Sequence, residues 1–366
     1  MSNRAEILKS HFGNHTDDAL RPILTSLNGD GSWLMSFPLP SPSPRKKFYH
    51  IVTDAWLNGP ATQGTSWFIC IDRVVPSAAT NGAGVDHIIR EIEGAVGGDT
   101  DTQDDEQGRW LDAIFVNFHY LDHMHQPTLV TFDKAIPVFA TPEAAGTIQS
   151  WGHFDTVVTT RDFKASDSVP TRNEWDCHPG APLPLWLSVI RIPGDKELNF
   201  ATAIIWSHDA TKNKTDSVPR SPQGSMHEVF LNTPHGVGVN VPTVQAFFRS
   251  VSKFNTREGG VDKIEILALF AALKDSFALG MRTTLGLAGS LELERLARPR
   301  YWVRTHDSTL RYRGVFMRLI GVNDVSRTLD EGLEEEAKAQ GKTKDEGERR
   351  RPNLVTVASG ECFVLG

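Results

Sequence analysis

Within Ile114–Leu129 a short apolar run, Ala113–Val116, breaks off into His119, Asp122, His123 and His125, before Pro127 opens a helix. Imidazoles and a carboxylate at the end of a buried strand are the donor types of a Zn²⁺ site. They also suit general acid–base chemistry, because imidazole titrates near neutral pH. Three further apolar runs stop at titratable residues: Phe48–Thr53 at Asp54, His227–Asn232 shortly before His235, and Arg300–Arg304 just before His306 and Asp307. In layered α/β proteins such strand ends carry the loops that surround a cleft. Should the four ends meet, Asp54, Asp122, His123, His235, His306 and Asp307 would form one constellation. Taken singly, each is more simply a surface or hydrogen-bonded residue. His119 and His125 compete for the same role but alternate poorly with Asp122 and His123. His153 is placed to cap a helix end, and His178 and His208 fall in polar loops.

The elements that must bring these residues together are legible in part. Gly31–Phe37 and Phe48–Thr53 read as strands separated by a proline-rich run, the start of a sheet. Apolar residues at Val85, Ile88, Ile89 and Ile92 give one helical face. Ile136–Ala140 is a strand, and Thr141-Pro142-Glu143 supplies a helix start. A strand at Asp155–Thr160 continues the alternation expected of layered α/β. Later strands are predicted at Leu185–Ile192, Phe200–Trp206, His227–Asn232, Ile264–Phe270 and Arg300–Arg304, with helices over Val241–Phe254 and Gly286–Arg298. Residues 94–108 form an acidic, Gly-containing insertion, 330–351 a charged exposed helix or linker, and Asn353–Ala358 and Cys362–Leu365 edge strands. A single domain over 1–366 is expected.

Composition narrows the partners. A net charge of -7 argues against a surface built to hold nucleic-acid phosphates. Cys70, Cys177 and Cys362 are sparse and lack CxxC spacing, so a reducing, cytoplasmic setting is expected. The first ten residues are mixed and charged rather than signal-like, and no run is long and apolar enough to span a bilayer. A small-molecule substrate is therefore the expected partner, with no nucleic acid and no membrane.

Five stretches add a resemblance. Gly31-Ser-Trp-Leu34, Thr53–Pro60 with Ser66-Trp-Phe68, Ile114–Leu129 through Ala145, Thr233-Pro-His-Gly236 and Tyr301–Asp307 occur in the order of the metallo-β-lactamase fold. More narrowly, they resemble a fungal branch related to the UlaG-like hydrolases, over residues 30 to 310. The resemblance implies a four-layer αββα sandwich with its site on the loops at one edge of the two sheets. The family's His-x-His-x-Asp-His motif would place imidazoles at Phe118 and Tyr120, whereas its closing pair is kept as Asp122 and His123. The third ligand of that first metal position would be sought near Ala201 and Thr202.

The resemblance thus implies a dismantled first metal position. A second would be held by Asp122, His123, His235 and His306 and carry one Zn²⁺ or other divalent metal. Asp54 or Asp307 would orient a ligand or serve as base. The expected activity is hydrolysis of an ester, lactone or amide in a small organic molecule. A competing reading has no metal: Asp122, His123 and His235 act as acid–base groups in a pocket lined by Phe118, Tyr120 and Trp56. That would suit an isomerase, dehydratase or cyclase of fungal secondary metabolism. A third keeps the fold as a non-catalytic binding module.

Overall fold

The computed structural model describes residues 3–12, 20–98, 109–164, 178–209, 224–256, 262–339 and 350–366. The acidic part of the 94–108 insertion, from 99 onward, and residues 340–349 of the charged segment lie outside them.

The chain opens with helix α1 (Asn3–Phe12) and strands β1 (Ile23–Ser26), β2 (Trp33–Pro38) and β3 (Phe48–Thr53). Short strands β4 (Ala61–Gln63) and β5 (Ile69–Arg73) lead to helix α2 (Gly82–Ala95). Strand β6 (Ala113–Val116), helix α3 (Gln126–Leu129), β7 (Val138–Ala140), helix α4 (Pro142–Ser150) and β8 (Val157–Thr159) follow. The middle of the chain is β9 (Arg161–Asp162), β10 (Leu187–Lys196), β11 (Asn199–Asp209), β12 (Ser225–Thr233), helix α5 (Pro242–Asn255) and β13 (Lys263–Ala271). Then come β14 (Asp275–Ala278), β15 (Met281–Arg282), helix α6 (Gly286–Ala297), β16 (Tyr301–Arg304), β17 (Leu310–Arg313) and helix α7 (Val315–Ile320). The chain closes with β18 (Asn323–Val325), helix α8 (Leu329–Ala339), β19 (Leu354–Val355) and β20 (Cys362–Val364).

Two seven-stranded sheets carry the architecture, ordered β20-β1-β2-β3-β6-β7-β8 and β19-β16-β13-β12-β11-β10-β9. The expected early pairing is present, with Trp33 opposite Thr53 and Phe37 opposite Tyr49 in antiparallel β2 and β3. Side chains alternate faces along a strand, and the burial follows that rule. Trp33, Met35 and Phe37 of β2 join Val189, Ile204, Trp206, Phe230 and Phe270 in a core between the sheets. Leu34 of β2 faces the other way, into a core shared with Val85, Ile88, Ile89 and Ile92 of α2. On the far side, Ile190, Ala203 and Ile205 meet Val244 and Phe247 of α5 and Leu287 and Leu291 of α6. The result is an α/β sandwich with helices outside both sheets. Each large apolar side chain buried in these cores contributes about 1.5–3 kcal/mol.

From the centre of each sheet out to one edge the strands run parallel: β3, β6, β7 and β8 in one, and β12, β13, β16 and β19 in the other. Parallel strands put their C-terminal ends at the same edge. That geometry places Asp54, the 117–125 loop, His235, Lys274 and His306 on one rim. Two three-stranded sheets, β15-β14-β18 and β17-β5-β4, are built on elements continuing from these loops. Apart from the Ser66-Trp-Phe68 likeness, none of their strands was predicted, because they are short and carry no sustained alternation.

Candidate metal centre

Asp54 follows β3 directly and is held at φ 48, a left-handed backbone that a non-glycine residue adopts at a cost of about 1–3 kcal/mol. Its amide donates to Phe115 O at 2.9 Å. The turn aims its carboxylate at the end of β6. Oδ1 accepts from the Asn117 backbone N–H at 2.7 Å, and Oδ2 accepts from Asn117 Nδ2 at 3.1 Å. The third contact of the carboxylate is with His123, whose Nδ1 lies 3.1 Å from Oδ2. Nδ1 donates to this carboxylate, so Nε2 is the ring nitrogen left to face the cluster. That Nε2 is buried with no hydrogen-bond partner, and 3.8 Å from Asp122 Oδ2.

His306 arrives from the opposite sheet, also left-handed at φ 57. Its Nδ1 lies 3.5 Å from Asp30 Oδ2 and its Nε2 3.9 Å from the same Asp122 oxygen. Asp30 belongs to the β1–β2 turn and is fixed there on three sides. Its amide donates to Asn28 Oδ1, its carbonyl accepts from Thr305 Oγ1 and its Oδ1 accepts from the Ser308 N–H. Trp33 Nε1 also donates to Thr305 Oγ1 at 3.0 Å, tying the first sheet to the loop that presents His306.

His235 is placed by a tight turn after β12. Gly236 sits at φ 82, and a Cβ there would stand 2.6 Å from Leu285 Cβ, so the position requires glycine. The His235 carbonyl accepts from Leu285 N at 2.9 Å and Asn199 Nδ2 at 3.1 Å. The His235 and His306 rings stack at 4.9 Å, and both His235 ring nitrogens are buried without a partner.

The ligand atoms of His123, His235 and His306 all lie within 4.8 Å of one another. Unpartnered imidazole nitrogens buried together are costly unless something electron-poor sits among them. With the Asp122 oxygen just under 4 Å from two of them, the cluster fits a divalent metal. Asp54 lies at hydrogen-bond distance from His123 and Asp30 stands 3.5 Å from His306 Nδ1, the positions from which a carboxylate can orient an imidazole.

The electrostatics follow from the same arrangement. Burial would lower His123, but Asp122 and the Asp54 hydrogen bond outweigh it and raise the imidazole to about 9. Burial lowers His235 well below its ordinary range, and the neighbouring His306, His123 and Lys274 charges add to that. For Asp30 burial opposes ionisation, yet His306 and Lys274 hold its carboxyl well below the usual range. The site therefore favours positive charge at the Asp54–Asp122–Asp30 side and a neutral ring at His235.

Several expected residues take other parts. Asp307 does not turn toward the histidines: its carboxylate accepts from Leu273 N, Lys274 N and Arg304 Nε, clamping the loop after β13. The carboxylate that stands beside His306 is Asp30. Trp56 is fully buried rather than lining a pocket, with its indole N–H on Gly59 O and the Arg73 guanidinium 4.8 Å over its ring. His125 is a structural strut between Thr128 Oγ1 and Pro60 O, and His119 pairs with Glu197 at 3.2 Å. His153 contacts Phe132 O rather than its own helix end, His178 contacts Pro184 O, and His208 stacks on Trp206.

Phe118 fills the place of the motif's first imidazole. Its ring is buried and packs on His235 at 5.0 Å, His123 at 5.4 Å and Phe200 at 5.5 Å. Tyr120 lies against it, 40% exposed. On β11, Thr202 is buried and Asn199 holds the His235 turn, so neither supplies an imidazole or carboxylate beside Phe118. Asp30, Asn117 and Lys274 were missed. The first two stand next to conspicuous sequence, an Asn-Gly-Asp-Gly turn and the end of an apolar run, but nothing local marks that Asp30 would face His306 or that Asn117 would hold Asp54.

No protein-family model and no curated protein matches the sequence. Among solved structures, a possible metal-dependent hydrolase from Veillonella parvula overlaps with a TM-score of 0.43 at 10% identity, covering 95% of this chain and 100% of that one. An isothiocyanate hydrolase from Delia radicum gut bacteria overlaps with a TM-score of 0.42 at 10% identity, covering 94% and 99%.

Proposed function

We propose that this chain is a metallo-β-lactamase-type hydrolase of a small organic molecule, with one divalent cation held by Asp122, His123, His235 and His306. The observation that carries this reading is the gathering of the ligand atoms of His123, His235 and His306 within 4.8 Å of one another, with His123 Nε2 and both His235 ring nitrogens buried without a partner and one Asp122 oxygen 3.8 Å from His123 Nε2 and 3.9 Å from His306 Nε2. A cation bound there would lower the pKa of a bound water toward ~7 and polarise an ester, lactone or amide carbonyl.

The chain's own residues prepare the site. Asp54 keeps the His123 proton on Nδ1, and Asp30 stands at Nδ1 of His306. Phe118 and Phe200 occupy the space beside His123 and His235 with rings that cannot ligate, which supports a single ion rather than a pair. Asp122 is more accessible than His123 and His306, at 15% side-chain exposure against 1% and 9%.

A second reading rests on one observation, the opposed tendencies of His123 and His235. A ring biased to the charged form beside one biased to the neutral form is an acid–base pair without any metal. Metal content decides between the two. Chain purified without a metal-binding tag should carry close to one divalent ion, lost in Asp122→Ala and His235→Ala. Negligible metal, and no activity gained when it is supplied, would leave the acid–base reading.

A further inference from the structure

The small sheets beside the centre carry an apolar surface that the histidine site does not use. Helix α7 exposes Val315, Arg318 and Leu319, residues spaced i, i+3 and i+4 on one face, with Val315 59% and Leu319 76% exposed. At its start, Val315 N and Phe316 N donate to Trp67 O and Phe68 O, and Phe68 packs on Phe316 at 5.3 Å. Gly314 makes that approach feasible, because a Cβ there would stand 2.4 Å from Phe68 O. Trp67 is left 66% exposed. At its end, Ile320 O accepts from Leu279 N at 2.6 Å, which docks the β14–β15 hairpin tip with Leu279 64% and Met281 65% exposed. Five large apolar side chains from three separate segments thus stand out around one short helix.

The hairpin tip carries a second, independent sign. Ala278 pairs with Met281 across a two-residue turn, Leu279-Gly280, with φ values of 53 and 71. Such turns favour Asn or Gly at the first position, and leucine there costs about 1–2 kcal/mol. The penalty is accepted at a residue whose side chain goes to solvent, so the fold gains nothing from it. Charge points the same way. Residues 64–68, 278–282 and 314–321 contain no Asp or Glu, in a chain of net charge -7. Arg318 on the exposed stripe and Arg311 on β17 have no acidic partner among the described residues.

We infer that Trp67, Leu279, Met281, Val315 and Leu319 form a docking surface for an anionic lipid bilayer. The apolar tips would enter the headgroup–acyl boundary, and Arg311 and Arg318 would meet the phosphates, as in other surface-bound amphipathic elements. An exposed tryptophan beside exposed aliphatic side chains, with arginine and no acidic residue in the same segments, suits the headgroup region of an anionic bilayer. The two elements bearing the surface continue the loops that present Lys274 and His306, so docking would bring the histidine centre to the membrane face. This departs from the expectation, drawn from the sequence, of no membrane partner; it involves no membrane-spanning helix, and none of the described helices is long and apolar enough to be one.

The test is co-sedimentation of the full chain with phosphatidylcholine vesicles containing about 30% phosphatidylserine. Retention is expected to weaken as salt rises from about 0.1 to about 0.5 M. Leu319→Glu with Met281→Glu should lower partitioning at least about 10-fold. Leu279→Asn serves as the fold-neutral control for the hairpin: it suits the left-handed turn, so thermal stability should hold or rise while partitioning falls. No retention of the unmodified chain, or retention untouched by these variants, overturns the inference. A dimer seen by light scattering that the same variants dissociate, without vesicle binding, overturns it too and assigns the surface to a second copy.

Discussion

Replacing Asp54 by asparagine isolates one feature of the centre, the tautomer of His123. Asp54 Oδ1 accepts from the Asn117 backbone N–H and Oδ2 from Asn117 Nδ2, with His123 Nδ1 3.1 Å from Oδ2. A backbone N–H cannot reverse, so the oxygen of an asparagine must stay at the Oδ1 place. Its NH₂ then faces His123 Nδ1, which can accept only if the proton moves to Nε2. That is the nitrogen left unpartnered toward the cluster. Losing a charge-assisted hydrogen bond is worth about 1.5–3 kcal/mol, and removing the partner of a ligating histidine costs about 10–100-fold in metal affinity. The two figures agree, since about 1.4 kcal/mol is tenfold. Competition against a chromophoric chelator should therefore show Asp54→Asn binding at least about 10-fold more weakly than the unmodified chain. Asp54→Ala should suffer less, because it leaves His123 free to choose its tautomer. Affinity in Asp54→Asn within about twofold of the parent, with the fold intact by circular dichroism, would refute the tautomer argument.

His235→Phe should abolish metal binding yet stabilise the chelator-treated chain by about 1–3 kcal/mol in urea unfolding, because it removes two buried nitrogens that lack partners. Gly236→Ala must strain a backbone at φ 82 and push a Cβ to 2.6 Å from Leu285, so melting temperature and metal occupancy should fall together. His125 supplies a pH test. Burial lowers its pKa to about 4 against 6.5 in the unfolded chain, outweighing the Pro60 O contact that favours the charged ring, and the nearby Arg73 charge adds to the fall. The unfolded chain therefore binds the proton first, and stability present above pH 6.5 is lost as pH falls toward 4, by about 3 kcal/mol. Urea midpoints across that range should fall less steeply in His125→Gln. His50→Leu removes the ring that contacts the Glu93 carboxylate in a pair whose side chains are both 0% exposed, and a loss of about 3–5 kcal/mol is expected in the same assay.

What the sequence determined is what periodicity and residue type determine. Residue type marked the runs that become β2, β3 and β11 as strands, and the 85, 88, 89, 92 spacing defined the buried face of α2. Asp54 after β3, Asp122 and His123 after β6, His235 after β12 and His306 after β16 were named as candidates from type and position, and the fold brings the ligand atoms of the three histidines within 4.8 Å of one another. The absence of imidazoles at 118 and 120 was equally legible. Tertiary structure decided which titratable groups face one another, because that depends on parallel strands distant in the chain ending at one edge. His306 and Asp307 are adjacent in sequence, yet the left-handed turn at His306 sends one toward Asp122 and the other to the amides of Leu273 and Lys274. Asp30 reaches His306 across 276 positions, with no local pattern to announce it. Of the cluster that first drew notice, His123 keeps a free nitrogen beside Asp122, whereas His125 is spent on Thr128 and Pro60 and His119 on Glu197.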